Sequence, residues 1–277
     1  MQEQEISGIS IARGVQNINH ALFADDTLLL GAASIHSARK FKEALDEYCM
    51  ESGSSLNKGK CHTYCWNTPP SLLISITRCL GFVTSTEWTS FKYLGLPIFL
   101  KRAYSRDWLP QVEKFKIKLQ AWGINWLNMA GKTALIKVVL SSLPLYQFSV
   151  LLAPNGILQK MDQHIRYFFW KGGKHNERRF PLVKWETILK PQMEGGLNIK
   201  KLPLQNIAMG GKLLWRLIAP NPGWAQLALW RKYFKGTRSR CLDGPLPQGT
   251  SPFISLCSKA APLIRSRAYW IPGNGKK

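Results

Sequence analysis

The sequence predicts an α+β fold, with antiparallel hairpins and a helix in residues 1–104 and helices thereafter. Three observations predict it. The run "HALFADDTLLLG" at residues 20–31 is apolar on both sides of two adjacent aspartates, and "FKYLGLPIFLK" at residues 91–101 is apolar around a Gly-containing turn. From Arg106 onward, apolar residues recur instead at three- and four-residue spacing. Short runs around turn residues read as hairpins, and the longer spacing reads as amphipathic helices.

Taken in order, residues 9–31 read as two strands, "ISIARGVQNINHALFA" and "TLLLGAA", joined by a turn at Asp25 and Asp26. Aspartate is at home in tight turns. A helix is expected from Ser37 to Met50, with Ala38, Phe41, Leu45 and Tyr48 on one face, and "ESGSS" ends it. "LNKGKCHTYCWN" reads as a strand stopped by Pro69 and Pro70. A strand pair is expected around "FKYLGLPIFLK". The helix from Arg106 carries Trp108, Val112, Phe115, Leu119 and Trp122 on its core stripe, with Lys114, Lys116 and Lys118 off it. A second helix, "NMAGKTALIKVVLSSLP", carries Lys132 and Lys137 and closes at Pro144. A third runs from Gly156 to Trp170, with Ile157, Met161, Ile165 and Phe168 on one face. After a turn at Gly195 and Gly196, a fourth spans Leu204 to Ile218. The tail from Cys241 is rich in Pro, Gly and Ser and is expected to be loosely ordered.

Composition narrows the function. The 277 residues carry 38 Lys and Arg against 16 Asp and Glu, a net charge of +22, spread along the chain rather than gathered in one run. Such an imbalance points to a polyanion, most often nucleic acid, with a membrane-surface or ribosome-associated protein as the alternative. No apolar run approaches the ~18 to 20 residues needed to cross a bilayer, and "MQEQEISG" is not a signal sequence. An intracellular protein without membrane contact is therefore expected. The six cysteines do not make a disulfide scaffold in a chain of this size. "KCHTYC" lacks a second ligand pair at finger-like spacing, so its cysteines read as small hydrophobes rather than zinc ligands.

Asp25 and Asp26 raise the chemical question. Two adjacent carboxylates at a buried hairpin tip would repel each other, and a divalent cation reverses that logic. Mg²⁺ suits them, because it accepts one or two carboxylates together with substrate phosphates. A solvated Asp-Asp turn without a ligand is the alternative from the dipeptide alone.

The order of motifs around the pair resembles reverse transcriptases, in which a (Phe/Tyr)-x-Asp-Asp turn holds the catalytic metals. "FADD" is followed by the helix and by "SGSSLNKGKC", similar to a Ser-Gly-x-x-(Ile/Leu)-Asn-x-x-Lys segment. Next comes "FKYLGLPI", similar to the Tyr-Leu-Gly primer-grip hairpin. "LQAWGINWLNMAGKTALIKVVLSSLPLY", "FFWKGG", "KWETILKPQMEGGLNIK" and "GKLLWRL" resemble the thumb and connecting region of non-LTR retrotransposon proteins of the plant LINE type. "SPFISLCSKAAPLIRSRAYWIPGNGK" resembles the lead into a downstream region.

The resemblance implies a partial palm over 1–104, a helical thumb over 105–150, a helical connecting region over 151–240 and a truncated linker over 241–277. It implies that Asp25 and Asp26 are metal-holding catalytic residues, with Mg²⁺ as cofactor. Lys60 would be the proton donor to pyrophosphate, and a solvated lysine is the alternative. It further implies that Tyr93, Leu94 and Gly95 grip a primer and that Lys114, Lys118, Lys132 and Lys137 face the phosphates of an RNA–DNA duplex. Partners would be an RNA template and a DNA primer, with a nuclear location.

One component does not match. The family's pair works with a third carboxylate earlier in the chain, and before Asp25 there are only Glu3 and Glu5. Two readings follow: a LINE-type reverse-transcriptase fragment inactive on its own unless a complementing N-terminal polymerase half supplies the rest, or a non-catalytic, basic nucleic-acid-binding remnant. A maturase-like or telomerase-like relative is the third, disfavoured by the stretch from "LPLYQFSVLLAP" to "GKLLWRL".

Overall fold

The computed structural model describes residues 6–101, 105–121, 127–171, 181–218, 223–234 and 251–268. Trp122 and the tail residues 241–250 and 269–277, on which expectations fell, lie outside them. The chain divides into two compact units, one of Met1–Lys101 with Leu227–Gly236 and the other of Arg102–Gln226 with Thr237–Lys277. The secondary structure mixes helices with small sheets, as an α+β fold requires.

In the first unit, β1 (His20–Phe23) and β2 (Asp26–Leu29) pair antiparallel, with His20 opposite Leu29 and Phe23 opposite Asp26. This register corrects the expected turn. The turn residues are Ala24 and Asp25, Ala24 taking the left-handed φ of +51° that suits a tight hairpin loop, while Asp26 opens β2. The long first strand expected from residue 9 is reduced to an isolated bridge between Ile9 and Ile18 before β1 begins. Helix α1 (Ile35–Ser52) starts at Ser34, whose hydroxyl accepts from the Ser37 amide at 3.1 Å, and ends at Gly53. Its expected apolar face is buried only near its start: Ala38 is in the core, but Tyr48 is exposed.

β3 (His62–Tyr64) pairs in parallel with β4 (Val83–Ser85) across helix α2 (Pro70–Leu80). Pro69 and Pro70 were expected only to stop a strand. Pro70 instead sits in the first turn of α2, where a missing N–H leaves no bond unmade. Ala38 of α1 packs with Ile76 and Leu80 of α2. β5 (Ser90–Tyr93) and β6 (Leu96–Phe99) form the second expected hairpin. Its turn puts Leu94 at φ +49° and Gly95 at φ +76°, the two positive angles of a primed turn. Gly95 takes its angle without the steric cost that Leu94 bears.

The second unit is helical. After one turn of 3₁₀ helix (Ser105–Trp108) come α3 (Leu109–Ala121), α4 (Met129–Leu135), a π-helical turn (Ile136–Leu140) and α5 (Leu145–Phe148). They are followed by α6 (Asn155–Lys171), α7 (Trp185–Ile188) and α8 (Leu202–Ile218). Helix α9 (Trp224–Tyr233) carries the chain into the first unit from Leu227. There, Arg231 donates from Nη1 to the Gly14 carbonyl at 2.6 Å. Helix α10 (Pro252–Arg265) follows.

The stripe read from the sequence becomes the core. Val112, Phe115 and Leu119 of α3, with Trp108, meet Ile157, Met161, Ile165 and Phe168 of α6, all buried. Asn206 of α8 is buried with them and fully bonded: it accepts from the Ala153 amide at 2.9 Å and donates to the carbonyls of Phe148 at 3.2 Å and Leu151 at 2.9 Å. Such bonding removes the penalty of burying an amide and pins the α5–α6 loop to α8. In the π turn, the Ser141 amide and hydroxyl both reach the Ile136 carbonyl, each at 2.9 Å.

Residues 252–265 correct the expectation of a loose tail. Ser251 caps α10 by accepting from the Ile254 amide at 3.2 Å, and Ile254, Leu256, Cys257, Ala260 and Ala261 are buried. The Pro- and Ser-rich composition concealed a cap and an apolar helix face. α10 packs against α8 at Gly210, where an added Cβ would lie 2.7 Å from the Leu256 carbonyl oxygen. Among the described residues, no helix is long and apolar enough to cross a membrane.

Gly210→Ala should lower stability by about 1–3 kcal/mol through overpacking against backbone. Gly211→Ala meets nothing nearer than 3.6 Å, and should raise stability by about 0.5–1 kcal/mol; denaturant midpoints check both. His164 of α6 titrates below its usual value of 6.5 because burial disfavours its charged form, with Lys116 adding to the shift and Glu113 opposing it. Between that lowered value and 6.5 the unfolded chain holds more protons, so the His164 contribution is complete above 6.5 and is lost as pH falls. His164→Gln should flatten this part of the pH dependence in urea melts recorded on either side of that window.

Candidate functional site

The β1–β2 turn sets Asp25 in the loop and Asp26 at the first position of β2, both exposed. A buried hairpin tip was expected. In the structure the desolvation that a buried pair would suffer does not arise, and the apolar residues beside it are open as well: Leu22 is 65% and Phe23 62% exposed.

The structure brings the second motif onto the first. The Tyr93 hydroxyl, at the end of β5, donates to the Ala21 carbonyl of β1 at 3.2 Å across 72 residues of sequence. Tyr93 thereby clamps the "YLG" hairpin to the "FADD" hairpin, leaving Leu94 and Gly95 at the tip of their own turn. Two residues reverse each chain: Leu94 and Gly95 both take positive φ in the β5–β6 turn, and Ala24 does so in the β1–β2 turn.

Lys60 is exposed in the turn before β3, its amide bonded to the Asn57 carbonyl at 2.9 Å. β3 reaches the same part of the unit through Tyr64, whose ring stacks on Phe91 of β5 at 4.5 Å. Buried Cys65 follows Tyr64, and burial pushes its thiol up. This agrees with the reading of Cys65 as a small hydrophobe.

The expected basic flank divides. Lys114 and Lys118 are exposed on α3, as the helical pattern requires, and the intervening Lys116 pairs with Glu113 at 3.1 Å. Lys137 is half-buried on the π turn. Lys132 is a correction: it is 4% exposed, with Nζ 3.5 Å from the Phe169 carbonyl of α6. A long aliphatic stem and a carbonyl for its head make it a core residue rather than a phosphate contact. The structure adds a cleft of about 720 Å³ whose wall includes Lys190, Lys200, Lys201 and Lys212, which no sequence motif marked. Three of these stand in or beside "KPQMEGGLNIKK", but only folding adds Lys212 from α8.

Two neighbouring carboxylates are the hard oxygen donors that Mg²⁺ takes. Among the described residues, no group of three or more His, Cys, Asp or Glu stands together. The donor chemistry of Asp25 and Asp26 fits part of a site.

Tyr93→Phe removes the hydroxyl that joins the two hairpins and keeps the ring. A loss of about 0.5–1.5 kcal/mol is expected, together with faster amide hydrogen exchange in β1 and β2 and none in α6, readable by mass spectrometry.

No protein family model matches the chain. It is similar to a protein of Arabidopsis thaliana named as a candidate ribonuclease H protein, at 31% identity over 186 residues, or 66% of this chain and 29% of that protein. The chain therefore spans less than a third of the length of the curated relative it matches.

Proposed function

We propose that the chain is a nucleic-acid-handling fragment of a retroelement protein, and that its first unit is part of a LINE-type reverse-transcriptase palm. One observation carries this reading: the Tyr93 hydrogen bond to Ala21 joins the "YLG" hairpin to the "FADD" hairpin, so motifs far apart in sequence form one local structure. The Arabidopsis relative supports the coarser part, since its name belongs to nucleic-acid enzymology. The +22 charge supports a polyanionic ligand.

In this reading Asp25 and Asp26 hold Mg²⁺ jointly with substrate phosphates, and RNA template and DNA primer are the partners. When bound, the ion polarises phosphoryl oxygens and neutralises their charge. Lys60, exposed and cationic, meets the leaving pyrophosphate, where an ammonium neutralises charge as it develops and can supply a proton. Tyr93 keeps the two hairpins in register. Leu94 and Gly95 present a tight turn to the primer backbone, and the exposed Lys114 and Lys118 meet duplex phosphates.

In this reading the chain binds nucleic acid, and polymerisation needs a third carboxylate beside Asp25 and Asp26, with which no such group stands among the described residues. Purified chain is expected to show no Mg²⁺-dependent extension of a DNA primer on an RNA template. Its binding to that hybrid should weaken steeply with salt, by ~0.7–0.9 in log–log slope per phosphate contact. Extension abolished by Asp25→Ala would establish an active polymerase instead, and a flat salt response would remove nucleic acid as the ligand.

A further inference from the structure

The first unit holds a run of aromatic rings that the carboxylate turn does not use. Tyr64 lies nearly flat on Phe91, with centroids 4.5 Å apart and planes at 13°. Trp88 stands edge-on to both at 5.5 Å. Trp66 stands edge-on to Trp88 at 6.1 Å, and His62 lies 6.2 Å from Tyr64 at the other end. Trp88 is held in place by its indole N–H, which donates to the Cys65 carbonyl at 3.0 Å. The inner rings are half-buried, whereas His62 is exposed and Trp66 keeps 48% of its surface open.

Trp66, in edge-on contact with a hydrogen-bonded Trp88 and 48% exposed, offers ring surface to a planar ligand. Rigid rings lose little freedom on binding, so most of the contact energy is retained. The surrounding charge selects the ligand class. Lys58 and Lys60 are exposed in the turn leading into β3, and Lys92 is exposed between Phe91 and Tyr93; Glu87, next to Trp88, is the exposed acid beside them in sequence. Exposed aromatic surface with lysines close in sequence, on a chain of net charge +22, matches single-stranded nucleic acid, whose bases stack while its phosphates meet lysines.

We propose that Trp66, backed by Trp88 and continued through Tyr64 to His62, is a stacking platform for unpaired nucleobases. The platform is tied to the carboxylate turn, because Phe91 and Tyr93 share β5 and Tyr93 holds β1. The inference rests on the nucleic-acid reading for its ligand class and adds to it a specific site.

The test measures binding of the full chain to a labelled short oligothymidylate and to an abasic strand of equal length and charge. Wild type should bind the base-bearing strand about ten-fold more tightly, the equivalent of roughly one stacked base. Trp66→Ala should bring the two strands to near equality while abasic binding stays unchanged, and Trp66→Phe should retain most of the preference. A wild-type chain without preference, a preference that survives Trp66→Ala, or a Trp66→Ala chain that also loses the abasic strand would overturn the platform and leave the nucleic-acid reading standing. Failure of wild type to bind either strand at low salt would overturn both.

Discussion

A two-stranded sheet is marginal in water, since one ladder of hydrogen bonds and one small face bury too little surface to hold it. The strands of the first unit form such pairs among the described residues, and the unit depends on the side chains that tie one pair to the next. β5 does most of this. Tyr93 reaches β1 through its hydroxyl, and Phe91, two residues earlier on the same face of the strand, stacks on Tyr64 of β3. The alternation of side chains along one short strand thus links three sheets. The position of the carboxylate turn relative to the other motifs follows from it.

The second unit is stabilised differently. Its helices bury wide apolar stripes, and several polar groups among them are hydrogen-bonded, although Gln205 Oε1 and Ser258 Oγ are buried without a partner. Asn206 spends its amide on three backbone groups of the α5–α6 connection, and Asp162 of α6 accepts from the Trp185 indole at 3.2 Å while pairing with Arg166 at 3.3 Å. Arg166 in turn lies 5.6 Å over the Trp185 ring, adding a cation–π contact. Lys132 belongs to the same pattern, with its ammonium directed to a carbonyl inside the unit. A lysine in a basic-looking helix is therefore not evidence of a basic surface. Lys114 and Lys118, on the outer face of α3, are the lysines that the helical period placed correctly.

The sequence by itself determined whatever depends on neighbours a few residues away. Periodicity placed α3 and α6 and their buried stripes at Phe115, Leu119, Met161 and Phe168, because a helix face is set by spacing alone. Turn chemistry placed both hairpins, with an error of one residue at Asp25, because aspartate suits a loop position and a strand end almost equally. The α10 segment departs from the expected loose tail for a related reason: Pro252 and Ser251 look like loop residues until a helix starts from them.

Only the tertiary structure decided what depends on distant chain. It exposed Asp25 and Asp26 where an apolar setting suggested burial, and it drew Lys132 inside. It also closed the Tyr93–Ala21 bond over 72 residues and gathered Lys212 with Lys190, Lys200 and Lys201 around one cleft. Local pattern fixes which side of an element a residue occupies. Burial and partnership depend on which other element covers that side, and no spacing within a segment carries that information.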